Sequence, residues 1–228
     1  MKKIVSMLMI FALLLNIGTM VFANNEPVII KDIAPEGEFS KYLDTSLNRS
    51  GSVGIQSVLN ISLPVLAFDQ HDPEWKDDIM ETDGLSIDHY GCALTSVAMV
   101  FRYFGINTDP GKLNEDLGDY ACPIHWYRAA ELGSDGKAEL VTFKEYPSDS
   151  DVINATVAAL QDDNPVIVGF KKPDDGTHFV LVKSVIGDGL SWDDYGVIDP
   201  NGATYKNLKY YKDLGWTFHR LVIYDKVN

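Results

Sequence analysis

Two cysteines, five histidines and a surplus of carboxylates hold the reactive chemistry available to this chain of 228 residues. Cys92 has the most telling setting. It opens the run Gly91-Cys92-Ala93-Leu94-Thr95-Ser96-Val97-Ala98-Met99-Val100-Phe101-Arg102-Tyr103-Phe104-Gly105, which is apolar on nearly every side. Such a helix belongs inside a domain, and Gly105 stands where a left-handed C-terminal cap is expected. Cys92 would lie in the first helical turn, where unpaired N–H groups and the positive end of the macrodipole favour a thiolate. A thiol nucleophile then needs a base, a group to orient that base, and donors for the developing oxyanion.

The histidines can be ranked for the part of base. His71 and His89 lie in an acidic loop, His125 begins a helix, and His219 sits inside the last strand. His178 is the first residue of the strongly apolar run His178-Phe179-Val180-Leu181-Val182, directly after turn residues, so its side chain can face a cleft while its strand is buried. Asp199 ends the following strand, before Pro200. If the two strands form a hairpin, the imidazole and the carboxylate meet at one end, and Asp199 can hold the ring tautomer and favour imidazolium. Gln70, at the end of a short extended segment, can add a side-chain N–H to the oxyanion beside the backbone N–H of Cys92. Alone, Cys92 reads equally as a small buried hydrophobe. Cys92 and Cys122 can also be read as a disulfide, although a bridge would consume the thiol at the helix start.

The elements that must position these groups are α+β in order. Residues 63–70 are expected to be extended, and 71–89 to form a solvated acidic loop; calcium is the alternative for its carboxylates, without the spacing of a helix-loop-helix site. After the Cys92 helix, Asp109 and Pro110 read as N-cap and first residue of a short helix stopping near Gly118. Residues 124–132 predict another helix ended by Gly133, 138–146 a strand, and 148–161 a helix with acids in its first turn. From Pro165 the period changes to β-rich runs at 166–170, 178–186, 195–199 and 216–224, separated by turn chemistry. Helices first and an antiparallel sheet afterwards is the α+β order, not alternating βαβ. Trp126 and Tyr127 read as core or as a groove wall, and Cys122 as packing.

Composition bounds the rest. Lys2 and Lys3 precede a mostly apolar run, and Val21-Phe22-Ala23 suits a signal peptidase, so residues 1–23 read as a bacterial secretory signal peptide cleaved after Ala23. The run is short for a transmembrane anchor. Residues 24–60 read as an N-terminal arm or leader, open to the alternative of a removable pro-segment, and 61–228 as one domain. The formal charge of −14 becomes more negative once the signal peptide leaves with its lysines. So acidic a chain disfavours nucleic acid and anionic membranes. Asn48, Asn60 and Asn154 begin N-glycosylation tripeptides, which matter only in a host that uses them.

Gln70, then Gly91-Cys92-Ala93-Leu94-Thr95-Ser96-Val97-Ala98-Met99, then His178-Phe179-Val180-Leu181-Val182, then Asp199-Pro200, in that order, resemble the papain-like cysteine peptidases. The nearest resemblance is to the branch of bacteriocin-processing, double-glycine leader peptidases and their stand-alone relatives, over about residues 63–202. The resemblance implies a papain-like fold, its helical half packing the nucleophile helix on an antiparallel sheet. It implies Cys92 as nucleophile, His178 as general base and acid, Asp199 as orienting residue and Gln70 as oxyanion donor. It implies a peptide or protein substrate and no cofactor; from the residues themselves no metal set is expected, and with no second span-length apolar stretch no lasting membrane insertion is expected after signal cleavage. The leader peptidases are fused to export ATPases and these residues hold none, so leader cleavage is not carried over. Two alternatives use the same residues: an acyl transferase of transglutaminase type, and a peptide-binding module that does not cut.

Overall fold

The computed structural model describes residues 32–43, 58–80, 84–173 and 176–227 of the chain. Residues 1–23, read as a signal peptide, and most of the residues assigned to the arm lie outside the described residues. The elements follow the α+β order. A short strand β1 (Leu59–Ser62) leads to the helices α1 (Ile87–Tyr90), α2 (Cys92–Tyr103), α3 (Pro110–Leu117) and α4 (Trp126–Gly133). Then come β2 (Ala138–Glu145), α5 (Asp149–Gln161), β3 (Val166–Lys172), β4 (Gly176–Gly187), β5 (Tyr195–Asp199), β6 (Thr204–Asn207), α6 (Leu208–Asp213) and β7 (Thr217–Lys226).

The strands form one sheet in the order β2-β7-β3-β4-β5-β6, with every pairing antiparallel. The long strand β4 organises it. Its first half pairs with β3 and its last four residues with β1, along the same edge. Residues 166–168 of β3, 179–182 of β4 and 218–224 of β7 are all buried, so neither side of the sheet centre is left to water. That is why these strands read as continuous apolar runs and not as alternating ones. Among the described residues, no helix is long and apolar enough to cross a membrane.

Local signals fix the helices. Residues 93–101 of α2 are buried without a break, and α2 packs against β3 and β4. Gly105 adopts φ 88°, and the N–H groups of Gly105 and Ile106 reach back to Arg102 O and Phe101 O. That pairing is a Schellman ending, the cap its position predicts. Asp109 Oδ1 accepts from Lys112 N at 2.8 Å with Pro110 beginning α3. Ser148 and Asp151 form a capping box at α5.

Five elements differ from the sequence expectation. Residues 63–70 contain no strand; the strand lies just before them at β1, across the expected boundary between arm and domain, and Pro64 offers no N–H to extend it. The short helix α1 begins inside the stretch read as acidic loop, and β6 and α6 fall between the runs at 195–199 and 216–224, where no element was expected. Helix α4 starts at Trp126, later than expected, because His125 is extended.

The arm residues 32–43 pack on the domain. Asp32 is buried, accepting from Trp126 Nε1 at 2.7 Å and from Arg220 Nε at 2.6 Å. Tyr42 is buried, with its hydroxyl in hydrogen-bond contact with Asp162, Asn164 and Asp225. Trp126 is fully buried and packs against Phe179, whereas Tyr127 is exposed.

Candidate active site

Cys92 opens α2 directly after Gly91, and Gly91 is there for want of space. A Cβ on it would lie 2.5 Å from Ile87 O and 2.6 Å from Ile87 Cγ2, closer than real contacts allow. The one-turn helix α1 can therefore fold back immediately before the cysteine. Ser96 Oγ donates to Cys92 O at 2.8 Å, one turn along α2. Neither cysteine is in a disulfide, Cys92 being half-buried and Cys122 buried, so the disulfide reading does not hold.

The hairpin of β4 and β5 brings the next two groups together. Leu181 pairs with Ile198, so Asp199 falls opposite Val180, and His178 lies two residues further along the same face. Diagonal neighbours of this kind are within reach of a long side chain. His178 Nε2 donates to Asp199 Oδ1 at 2.8 Å. The remaining ring nitrogen, Nδ1, is the one left for Cys92, whose sulfur neighbours the imidazole and helps to raise it. The imidazole is 18% exposed and the carboxylate 3%, so the pair is shielded while the ring keeps an edge open.

Asp199 is saturated with donors. Oδ1 also accepts from Asn201 N at 2.9 Å, and Oδ2 accepts from Lys206 Nζ at 2.7 Å and Tyr211 Oη at 2.7 Å. Burial alone would raise this carboxyl, but donation from His178, Lys206 and Tyr211 holds it well below the usual carboxylate range. Burial likewise works against a charged His178, yet the bond to Asp199 and the neighbouring Cys92 sulfur outweigh it and raise the imidazole from 6.5 to about 10. The ring is therefore imidazolium at neutral pH. Tyr211 is raised by burial and by Asp199, which keeps it a neutral O–H donor.

Gln70 joins the two sides. Its backbone N–H donates to Pro200 O at 2.9 Å, beside Asp199. Its side-chain Nε2 donates to Asp88 O at 2.8 Å, four residues before Cys92. A primary amide has two N–H groups, and the Asp88 carbonyl takes one. Among the described residues, Gln70 Oε1 is buried without a hydrogen-bond partner.

His71, which the sequence places in an acidic loop, ties the same three segments. Nδ1 meets Asp88 Oδ1 at 2.8 Å and Nε2 meets Asn201 Oδ1 at 3.1 Å. The bond to Asp88 raises its affinity for a proton. The loop itself is pinned rather than wholly solvated: Trp75 is buried, and its Nε1 donates to Asp69 O at 2.8 Å. Asp69 Oδ1 accepts from His71 N and Gly202 N. His125 packs edge-on to Tyr120 and His219 against Tyr146, away from this cluster. Among the described residues, no three His, Cys, Asp or Glu side chains converge as a metal site.

Lys206, Tyr211 and the His71 bridge had no signal in the sequence. Lys206 reaches Asp199 only because β6 doubles back on β5, where Val197 pairs with Lys206.

An α+β domain whose helix-opening cysteine touches an imidazole held by a buried carboxylate has the parts of a cysteine peptidase. Residues 63–218 match the Peptidase_C39 like family. That match covers more than half of the chain, which belongs to this family of cysteine peptidases. No curated protein matches the chain.

Proposed function

We propose that the protein is a secreted cysteine peptidase-like hydrolase that cleaves a peptide or amide bond through Cys92, His178 and Asp199. The observation that carries the reading is the placement of Cys92 beside His178, whose ring is hydrogen-bonded to Asp199. An imidazolium beside the sulfur favours the thiolate, and the thiolate attacks the substrate carbonyl carbon. The carbonyl electrons move to oxygen, which the Cys92 backbone N–H and the second N–H of Gln70 receive. His178 gives its proton to the departing amine, leaving a thioester. Water then attacks the thioester, His178 takes a proton from it, and the acid leaves as the thiolate returns. Asp199 holds Nε2 of the ring so that Nδ1 serves the sulfur throughout.

The finer reading is a papain-like, stand-alone member of the bacteriocin-processing type. It rests on the order of Gln70, Cys92, His178 and Asp199 and on the packing of α2 against β4. Export rests on the composition of residues 1–23. The test is alkylation at neutral pH with peptide mapping. Cys92 is expected to react with iodoacetamide faster than an ordinary thiol, and to lose that advantage in His178→Ala, while buried Cys122 stays unlabelled. Labelling of Cys92 at the rate of an ordinary thiol would overturn the proposal.

A further inference from the structure

We propose that Lys206 is a positioning residue of the site: its ammonium, on the far oxygen of Asp199, offsets that carboxylate's charge and so limits how firmly His178 holds its proton. The inference rests on the hydrolase reading for its purpose, and on geometry for its substance.

Asp199 uses its two oxygens for two different tasks. Oδ1 faces His178, and Oδ2 faces Lys206 at 2.7 Å and Tyr211 at 2.7 Å. The residue is buried, 2% exposed, so its charge is poorly screened and whatever touches Oδ2 is felt at Oδ1. The charged groups facing this carboxylate are His178 from β4 and Lys206 from β6. Cys92 reaches it only through the imidazole, and Tyr211 from α6 is a neutral donor.

With Cys92 as thiolate, the four groups Cys92, His178, Asp199 and Lys206 sum to zero. With the proton moved from His178 back to sulfur they also sum to zero. A buried site that stays neutral on both sides of its proton transfer avoids the cost of an uncompensated charge. Without Lys206 the site carries one net negative charge in both states. The full pull of Asp199 then falls on the imidazolium, which gives up its proton to a leaving amine less readily.

Lys206 is built into place. Beyond the pairing of β6 with β5, its ammonium lies over the rings of Tyr210 at 4.7 Å and Tyr211 at 5.6 Å. Its side chain is 26% exposed, so replacing it disturbs little packing, and the charge can be removed without opening the core.

The test compares wild type with Lys206→Gln, Lys206→Met and Lys206→Arg. The His178 midpoint is read by ¹H–¹⁵N NMR titration of the ring, which needs no substrate. The alkaline limb of peptide hydrolysis is read alongside it. Lys206→Gln keeps an N–H for Oδ2 but removes the charge. It is expected to move the His178 midpoint up by about one pH unit and to carry the alkaline limb with it, and Lys206→Arg restores both. Lys206→Met gives the same shift if charge is what matters, and serves if the glutamine variant does not fold. An unchanged midpoint in a folded Lys206→Gln or Lys206→Met protein, with only a lower melting temperature, would show a structural role alone and overturn the proposal. A midpoint that shifts in a protein that cuts no peptide would sink the hydrolase reading and leave the charge-offsetting role of Lys206 standing.

Discussion

Replacing Asp199 by Asn tests the account where its geometry is tightest. The side chain keeps its shape and one oxygen for His178 Nε2, but loses the charge. In the native protein burial opposes the imidazolium, and the carboxylate and the Cys92 sulfur reverse it to give a value of about 10. Without the carboxylate, burial is opposed by the sulfur alone, so the ring falls back toward its ordinary 6.5. At pH 7.5 the native ring is nearly all imidazolium, whereas a ring of ordinary affinity is only about one-tenth protonated. The amide's N–H groups would also confront Lys206 and Tyr211, both of which donate to the native Oδ2. The expected outcome is a loss of about a thousandfold or more in kcat/KM, comparable to loss of the orienting acid in other triads. The alkaline limb should retreat from near pH 10.

Stability carries a second signature of the same change. His178 is raised in the folded state, so its pairing stabilises the fold fully below pH 6.5, and that stabilisation is lost as pH rises through about 10. Asp199 is lowered, so its contribution is present above pH 3.8 and fades as pH falls below that. Urea unfolding of native protein and Asp199→Asn across pH 5 to 10 should converge toward the alkaline end. An unchanged alkaline limb, with a stability gap that stays constant across that range, would refute the coupling of the ring to Asp199.

Other outcomes follow from the same structure. Gln70→Ala should lower kcat by about a hundredfold or more with less effect on KM, as loss of one oxyanion donor does; steady-state kinetics checks it. Gly91→Ala forces a Cβ to within 2.5 Å of Ile87 O, and should cost about 1–3 kcal/mol in urea unfolding and slow Cys92 alkylation. Asp32→Ala leaves Arg220 buried without its closest anion, Glu145 being half-exposed. It should cost about 3–5 kcal/mol and make residues 32–43 susceptible to proteolysis. In His71→Ala the links from residue 71 to Asp88 and Asn201 vanish, and amide exchange in residues 69–72 should quicken most below neutral pH, where the native imidazolium pairs with Asp88.

How far the sequence reveals all this depends on how local each signal is. The start of α3 needs only Asp109 and Pro110, and the end of α2 only Gly105; both can be read from neighbouring residues. The five residues 195–199 stand between turns and emerge as a strand with those bounds. By contrast β6 and α6 alternate Tyr, Lys and Asn in short stretches, and their order comes from pairing with β5 and from Tyr211 burying against Phe170. Strand β1 exists because the far end of β4 offers it an edge, which no pattern within four residues can announce.

The site divides in the same way. Cys92, His178 and Asp199 stand out as candidates in the sequence because each sits near the start or end of an element with an apolar run beside it, and Gln70 because it closes an apolar stretch. Lys206 and His71 do not, since a lysine between Tyr205 and Asn207, or a histidine among carboxylates, looks like solvated surface until the chain folds back. Asp32 was hidden for a similar reason. Its partners Trp126 and Arg220 are distant in sequence, and only their burial reveals the anchor.

The most direct measurement is cleavage of a broad peptide library by native protein and by Cys92→Ala, read by mass spectrometry near neutral pH. New peptide termini are expected from the native protein and none from a folded Cys92→Ala variant. Cleavage by both proteins, or by neither, would contradict the hydrolase reading.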